Sequence, residues 1–233
     1  MRERKIVLVI VEGPSDATAL GGALSKVFAA SDVRVEVMHC DVTVKDGSAS
    51  NTICAEIGGI VTGYLHSTPA VRAEDILQII HLVDTDGAYV PNGVIVQTEG
   101  LERTMYFDEQ IQTGNKRSLE ARNAQKRSCL KTLIRTNKIL KNIPYHVYFM
   151  SCNLEHALHN KRNCTNREKR QLAEDFDDRF GEDAVAFKKF VGESAFSVRG
   201  EYRQSWEFIQ QNVKSLLRHT NLGLCWNGEA GKS

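Results

Sequence analysis

Two short strings carry the carboxylates on which phosphoryl chemistry could be built. Glu12 follows the run RKIVLVIV at residues 4–11, and Asp84-Thr85-Asp86-Gly87 follows ILQIIHLV at residues 76–83. A strand period of two puts Asp84 and Asp86 on one side, about 7 Å apart along the backbone. Two hard oxygen ligands at that spacing can grip one Mg²⁺. In a parallel sheet the carboxyl ends of the strands share one edge, where open α/β sheets bind ligands, so Glu12 is expected to face the pair across a cleft. Each piece also has an ordinary reading. Asp-Gly is a common turn, and Asp16 in the first turn of a helix is favoured by the macrodipole by about 0.5 kcal/mol. The joint occurrence of an apolar strand, Glu-Gly-x-x-Asp opening a helix, and a later apolar strand ending in Asp-x-Asp is the stronger signal.

A second constellation follows YHVYFM at residues 145–150, where Ser151-Cys152-Asn153-Leu154-Glu155-His156-Ala157-Leu158-His159 opens on the same edge. At about 100° per residue, Cys152, Glu155, His156 and His159 share one polar face, with Leu154 and Leu158 on the other. Asn153 is a natural N-cap for this short helix. Cys152, His156, His159 and Cys164 have the composition of a zinc site, although their spacing is irregular. A third feature is basic. From Lys116 to Lys141 nine Lys or Arg residues stand against one acid, Glu120, a local net charge of +8. On a helix expected over 117–141, Arg127, Lys131, Arg135 and Lys138 fall within about an 80° arc, while Leu119, Leu130, Leu133, Ile134 and Leu140 line another face. Such a run is commonly a solvated face. Beside a phosphodiester site it reads as a track for phosphates, and no aromatic interleaving points to base readout.

The elements that must position these residues alternate. The β-branched run at 4–11 suits a strand buried on both faces. Gly13 then starts a helix with Pro14 at its first position, where the missing N–H costs nothing. A strand is expected at 33–38, a helix at 51–66 and a strand at 76–83. Residues 88–115 read as an insertion with a hairpin of strands 94–97 and 104–107. After the basic helix comes the strand 145–150, and from Asn166 the pattern is helical to about residue 220, with breaks near Gly181, Gly192 and Gly200. Alternating β and α means a parallel sheet. Two units are expected: an α/β domain over 1–160 and a helical extension over 161–233 packed on it. The aromatic residues Phe176, Phe180, Phe187, Phe190, Trp206 and Phe208 of that extension are assigned first to core packing and second to a dimer surface.

VLVIVEGPSDATAL followed by IIHLVDTDG resembles the TOPRIM domain of bacterial primases, topoisomerases, small RNA-maturation nucleases and nucleases of the overcoming-lysogenisation-defect type. The resemblance covers roughly residues 5–160. It implies a parallel, Rossmann-like sheet flanked by helices, and a Mg²⁺- or Mn²⁺-dependent nuclease acting on the DNA or RNA backbone. Glu12 would act as general acid or base, and Asp84 and Asp86 would hold the metal. Asp16 matches the family's helix Asp, and Gly13 and Gly87 support the site. Glu155 resembles the further acidic ligand of defence-type members, and phage defence is the setting this suggests; its ordinary reading is a helix-dipole residue. The chain departs from the family in a longer gap between Glu12 and Asp84. It also lacks the primase and topoisomerase partner domains and the ATPase fused to the overcoming-lysogenisation-defect nucleases. A second copy of the chain or a separate ATPase are therefore the partners to expect.

Two other functions stay open. Strings like HLVDTDG also resemble haloacid-dehalogenase phosphatases, with Asp84 as nucleophile and Asp86 as acid/base, although that family opens its core with this strand. A non-catalytic scaffold binding nucleic acid or a protein is the third. The tail from Trp226 to Ser233 imitates a P-loop but has Trp in place of the first Gly. In bulk, 233 residues with 42% hydrophobic and 25% charged side chains and a formal charge of +1 exclude disordered and collagen-like classes. No apolar run reaches the roughly 18 residues of a membrane span, and neither a signal peptide nor an anchor is read. Six cysteines spread along the chain with no CxxC pair fit reduced thiols in a cytoplasm. Clustered carboxylates repel one another, so removing one is expected to leave the thermal midpoint unchanged or raised.

Overall fold

A computed structural model of the chain describes residues 5–29, 33–39 and 50–226. Cys40 and residues 227–233 of the P-loop-like tail lie outside them. Strand β1 (Lys5–Val11) is buried at every position after Lys5. Its β-branched side chains alternate between two cores, as a strand covered on both faces requires. Val7, Val9 and Val11 pack with Ala19, Leu20, Ala23 and Leu24 of helix α1 (Pro14–Ala29). Ile6, Leu8 and Ile10 pack with Ile53, Ile57 and Val61 of helix α2 (Ile53–Ser67), which follows strand β2 (Val33–His39). Strand β3 (Ile76–Asp84) repeats the alternation, with Ile80 and Leu82 on the α1 side and Ile79 and Val83 on the α2 side.

Residues 88–115 hold three strands where two were expected: β4 (Ile95–Gln97), β5 (Met105–Tyr106) and β6 (Ile111–Thr113). The additional strand β6 is the middle one. It runs parallel to β4 and antiparallel to β5, so the hairpin is formed by β5 and β6 and not by residues 94–97 with 104–107. Ile95 and Ile111 bury a small core with Leu119 and Leu216, and that burial selects the pairing.

The basic helix α3 runs Lys116–Arg135 and stops short of the expected end at 141. Thr136 caps it in an extended conformation, and Lys138–Ile139 form strand β7, antiparallel to strand β8 (Ile143–Met150). Ile139 is 3% exposed against Ile143 and the α2 side of the core. Leu140 and Lys141 turn the chain with φ of 47° and 71°. Sheet burial of Ile139 outweighs one more helical turn, so Lys138 leaves the face carrying Arg127, Lys131 and Arg135.

The main sheet has the order β2-β1-β3-β8-β7, with every pair parallel except β7/β8. Chain order reverses at β1, since β2 lies on one side and β3 on the other. Helices α4 (Leu154–His159), α5 (Asn166–Phe180), α6 (Ala184–Glu193) and α7 (Tyr202–Ile209) complete the layers. Phe176, Phe180 and Phe187 bury into the α1 side and Trp206 into the α2 side, so both cores draw on the C-terminal helices. Among the described residues, no helix is long and apolar enough to cross a membrane.

Candidate active site

The strand-order reversal places the carboxyl ends of β1 and β3 side by side, the position where open sheets bind ligands. Glu12 is the first residue past β1. Gly13 then turns the chain into α1, Pro14 takes the first helical position, and the Gly13 N–H donates to Asp16 Oδ2 at 2.9 Å. Burial raises the Asp16 pKa to about 6 against that hydrogen bond, and the nearby Glu155 charge adds to the rise.

Asp84 ends β3. Thr85 is pinned to the neighbouring chain, its N–H donating to Met150 O at 2.9 Å and its Oγ1 accepting from the Cys152 N–H at 2.8 Å. Asp86 and Gly87 then enter the left-handed region with φ of 46° and 63°. A Cβ on Gly87 would stand 2.7 Å from Ile111 Cδ1 and 2.8 Å from Leu216 Cδ2, so glycine is required both by conformation and by space. Asp84 and Asp86 do share one cleft. The turn achieves this, because the strand has ended at Asp84 and its period of two no longer applies.

Helix α3 grips this turn along its length. Arg122 Nη2 donates to Asp86 O at 2.8 Å, Asn123 Nδ2 to Gly87 O at 3.5 Å, and Arg127 Nη1 to Ala88 O at 2.6 Å. Between them Lys126, with 0% of its side chain exposed, sends Nζ to Asp86 Oδ2 at 2.5 Å and to Glu12 Oε1 at 3.2 Å. Sequence reasoning counted Lys126 only as one charge in a basic run. The signal was present, since Leu119, Asn123, Lys126, Leu130 and Leu133 form the buried stripe of α3, and a lysine on such a stripe needs a buried partner.

Glu155, on α4, is 2% exposed and pairs with Lys169 Nζ of α5 at 3.2 Å. Lys169 was also overlooked. Burial opposes its charge, yet Glu155 and Asp84 hold its pKa above the ordinary value. The Asp84 carboxylate receives no hydrogen bond among the described residues. Its pKa is driven well upward by burial and then by the charges of Glu12, Asp16 and Asp86. Asp86 moves the other way: burial works against its ionisation, but Lys126 and Arg122 outweigh it and lower the pKa. One carboxylate of the pair is thus held ionised while its neighbour resists ionisation.

Glu12, Gly13, Asp16, Asp84, Asp86, Glu155, Asn166 and Lys169 line one open cleft of about 380 Å³. Its carboxylate donors are all oxygen, which suits Mg²⁺ or Mn²⁺. Glu155 Oε1 is buried without a hydrogen-bond partner, and Asp84 is short of positive charge, so a cation fits the electrostatics. As arranged, no three His, Cys, Asp or Glu side chains among the described residues form a metal-holding group. Lys126 draws Glu12 and Asp86 onto its own ammonium instead.

The residues expected to share a polar face on 152–159 are not alike. Leu154 to Leu158 are all buried, because α4 is covered on every side, and Glu155 alone of the group lines the cleft. Burial and the Asp86 charge raise the Cys152 thiol pKa, and burial with Arg162 lowers His156 to about 4. His159 meets the Phe176 ring edge-on with centroids 5.6 Å apart. These are the surroundings of packed side chains, and the zinc reading of Cys152, His156, His159 and Cys164 gains no support from them. On α3, Arg127, Lys131 and Arg135 line a separate groove with Tyr89, Ile134 and Gln210.

No family model, no curated protein and no solved structure matches the chain.

Proposed function

We propose that the chain is a Mg²⁺- or Mn²⁺-dependent nuclease, or a related phosphodiester-transfer enzyme, of the TOPRIM type acting on DNA or RNA. One observation carries the reading: five carboxylates from four segments, Glu12, Asp16, Asp84, Asp86 and Glu155, converge on one open cleft where the strand order of a parallel sheet reverses. Asp84, Asp86, Glu12 and Glu155 are the residues that would hold the metal. When bound, such an ion supplies Lewis-acid stabilisation of charge developing on phosphoryl oxygens.

The chain's own groups do the rest. Glu12, whose Oε1 accepts a hydrogen bond from the Lys126 ammonium, would give or take a proton at the cleft. Asp16 anchors the Gly13 N–H and so holds the loop on which Glu12 sits. Lys126 and Lys169 put two ammoniums against the carboxylates, which offsets the repulsion a phosphodiester would meet there. Lys131 and Arg135, exposed on α3, are the phosphate contacts outside the cleft.

The haloacid-dehalogenase alternative asks Asp84 to be an ionised nucleophile and Asp86 a protonated acid. The electrostatics weigh the opposite way, with Asp84 raised and Asp86 lowered. Parallel incubation of plasmid DNA, RNA and small phosphomonoesters with Mg²⁺ or Mn²⁺ separates the readings. Nicking or RNA cleavage is expected, lost in Asp84→Asn and reversibly abolished by EDTA without unfolding, since such ions bind weakly without substrate phosphates. Phosphomonoester turnover alone would favour the phosphatase. No turnover with any of the three would leave a binding scaffold.

A further inference from the structure

Tyr89 stands three residues beyond Asp86, where the chain leaves the carboxylate turn, and α3 brings Arg127, Lys131, Ile134 and Arg135 beside it. With Gln210, one residue beyond α7, they line a groove of about 370 Å³. That size falls in the range of sites for small organic groups. Its chemistry is divided between a phenol ring with an isoleucine and a set of three cations. The Tyr89 hydroxyl is buried and has no hydrogen-bond partner among the described residues. Burial raises its pKa, so it stays a neutral donor. Arg127 is partly used by its bond to Ala88 O, which fixes the backbone next to Tyr89. Lys131 and Arg135 are exposed and have no ion-pair partner among the described residues.

A partly buried tyrosine ring that lines the groove while packing on the α2-side core, an unmatched hydroxyl and an amide beside two uncommitted cations suit an unpaired nucleobase with its flanking phosphates. The base stacks on the ring and the phosphates meet the cations. A duplex keeps its bases stacked on one another and offers the same groove only phosphate. The groove is tied to the cleft by α3 itself, because Lys126 and Arg127 are consecutive residues facing the two sites.

We propose that this groove is a single-strand subsite: it seats one unpaired nucleobase against Tyr89, with flanking phosphates on Lys131 and Arg135, and so selects single-stranded DNA or RNA for the carboxylate cleft. The proposal rests on the nucleic-acid reading above. Binding is therefore measured in EDTA, by fluorescence anisotropy, where no cleavage is needed. The probes are labelled oligothymidine, oligouridine, an abasic strand of the same length and charge, and a blunt duplex of that length. Wild-type protein is expected to bind the base-bearing strands about tenfold more tightly than the abasic strand, a modest value for one stacked base. Tyr89→Leu should erase that ratio, Tyr89→Phe should keep it, and Lys131→Ala should weaken every probe alike. Tighter binding of both oligouridine and oligothymidine than of the abasic strand would support the subsite. Equal wild-type affinity for base-bearing and abasic strands would overturn it, and this comparison needs no variant to fold. Base-dependent binding with no cleavage under any metal would remove the nuclease reading and leave the subsite standing. Cleavage with base-independent binding would do the reverse.

Discussion

Replacing Lys126 with Met removes a buried charge while keeping the length and apolar stem of the side chain. In the native protein the ammonium is fully buried, with carboxylate oxygens at 2.5 and 3.2 Å. At an effective dielectric constant of about 20, each contact represents roughly 5–7 kcal/mol of gross attraction, much of it spent on desolvating the lysine. Removing one partner of such a group costs about 3–5 kcal/mol, chiefly because the charges left behind lose their compensation. Glu12 and Asp86 keep 13% and 21% of their side chains exposed to water, which solvates the charges left behind and argues for the low end of that range. A loss of about 3 kcal/mol corresponds to a fall of about 6–12 °C in Tm for a chain of this length.

The pH dependence of that loss has a definite sign. Lys126 lowers the folded pKa of Asp86, so this pairing stabilises the fold above the ordinary carboxylate range and is lost as pH falls through the depressed value. In the variant, burial and mutual repulsion of the carboxylates act without that cation. The folded pKa of Asp84, raised well above its ordinary value although Lys126 works against the rise, then rises further, while Asp86 keeps Arg122 but loses Lys126, and stability is lost as pH rises. The deficit should therefore be largest near pH 8 and shrink toward pH 5. Mg²⁺ at about ten times its Kd should restore roughly 1.4 kcal/mol at pH 8. Thermal melts of both proteins across pH with and without Mg²⁺ provide the assay. A deficit that does not vary with pH, or a variant as stable as wild type at pH 8, would refute the reasoning.

Asp84 and Asp86 should respond oppositely to replacement. The raised folded pKa of Asp84 means stability is lost as pH rises from the unfolded value through the raised folded one, so Asp84→Asn should gain about 0.5–2 kcal/mol at pH 8 by urea denaturation while losing cleavage. Asp86→Ala should lower Tm instead, because it leaves Lys126 with one fewer anion; this amends the expectation that removing any clustered carboxylate is harmless. Lys131→Ala with Arg135→Ala should reduce the slope of log K against log salt by about 1–2, read from anisotropy titrations on DNA, whereas Lys138→Ala on β7 should leave it unchanged. Gly87→Ala should cost about 1–3 kcal/mol in urea melts, from the strained φ and the crowding by Ile111 and Leu216.

What the sequence determined by itself is local. An unbroken β-branched run specifies a strand covered on both faces, Pro14 after Gly13 specifies where α1 begins, and Asn153 caps α4 through its bond to the His156 N–H. A glutamate and an Asp-x-Asp placed just after such strands are then carried to the same sheet edge by parallel pairing. Tertiary structure decided the charges around them. Lys126 reaches Asp86 across 40 residues of sequence and Glu12 across 114, and no periodicity within α3 names those partners. Lys169 is brought to Glu155 by the docking of α5, and Tyr89 is brought to Lys131 and Arg135 by the docking of α3. The end of α3 at Arg135 was likewise set from outside the helix, by the burial of Ile139 against Ile143. Local propensity acts over one or two turns, whereas a buried ammonium, a pKa or a groove depends on whatever the packed fold sets within a few ångströms.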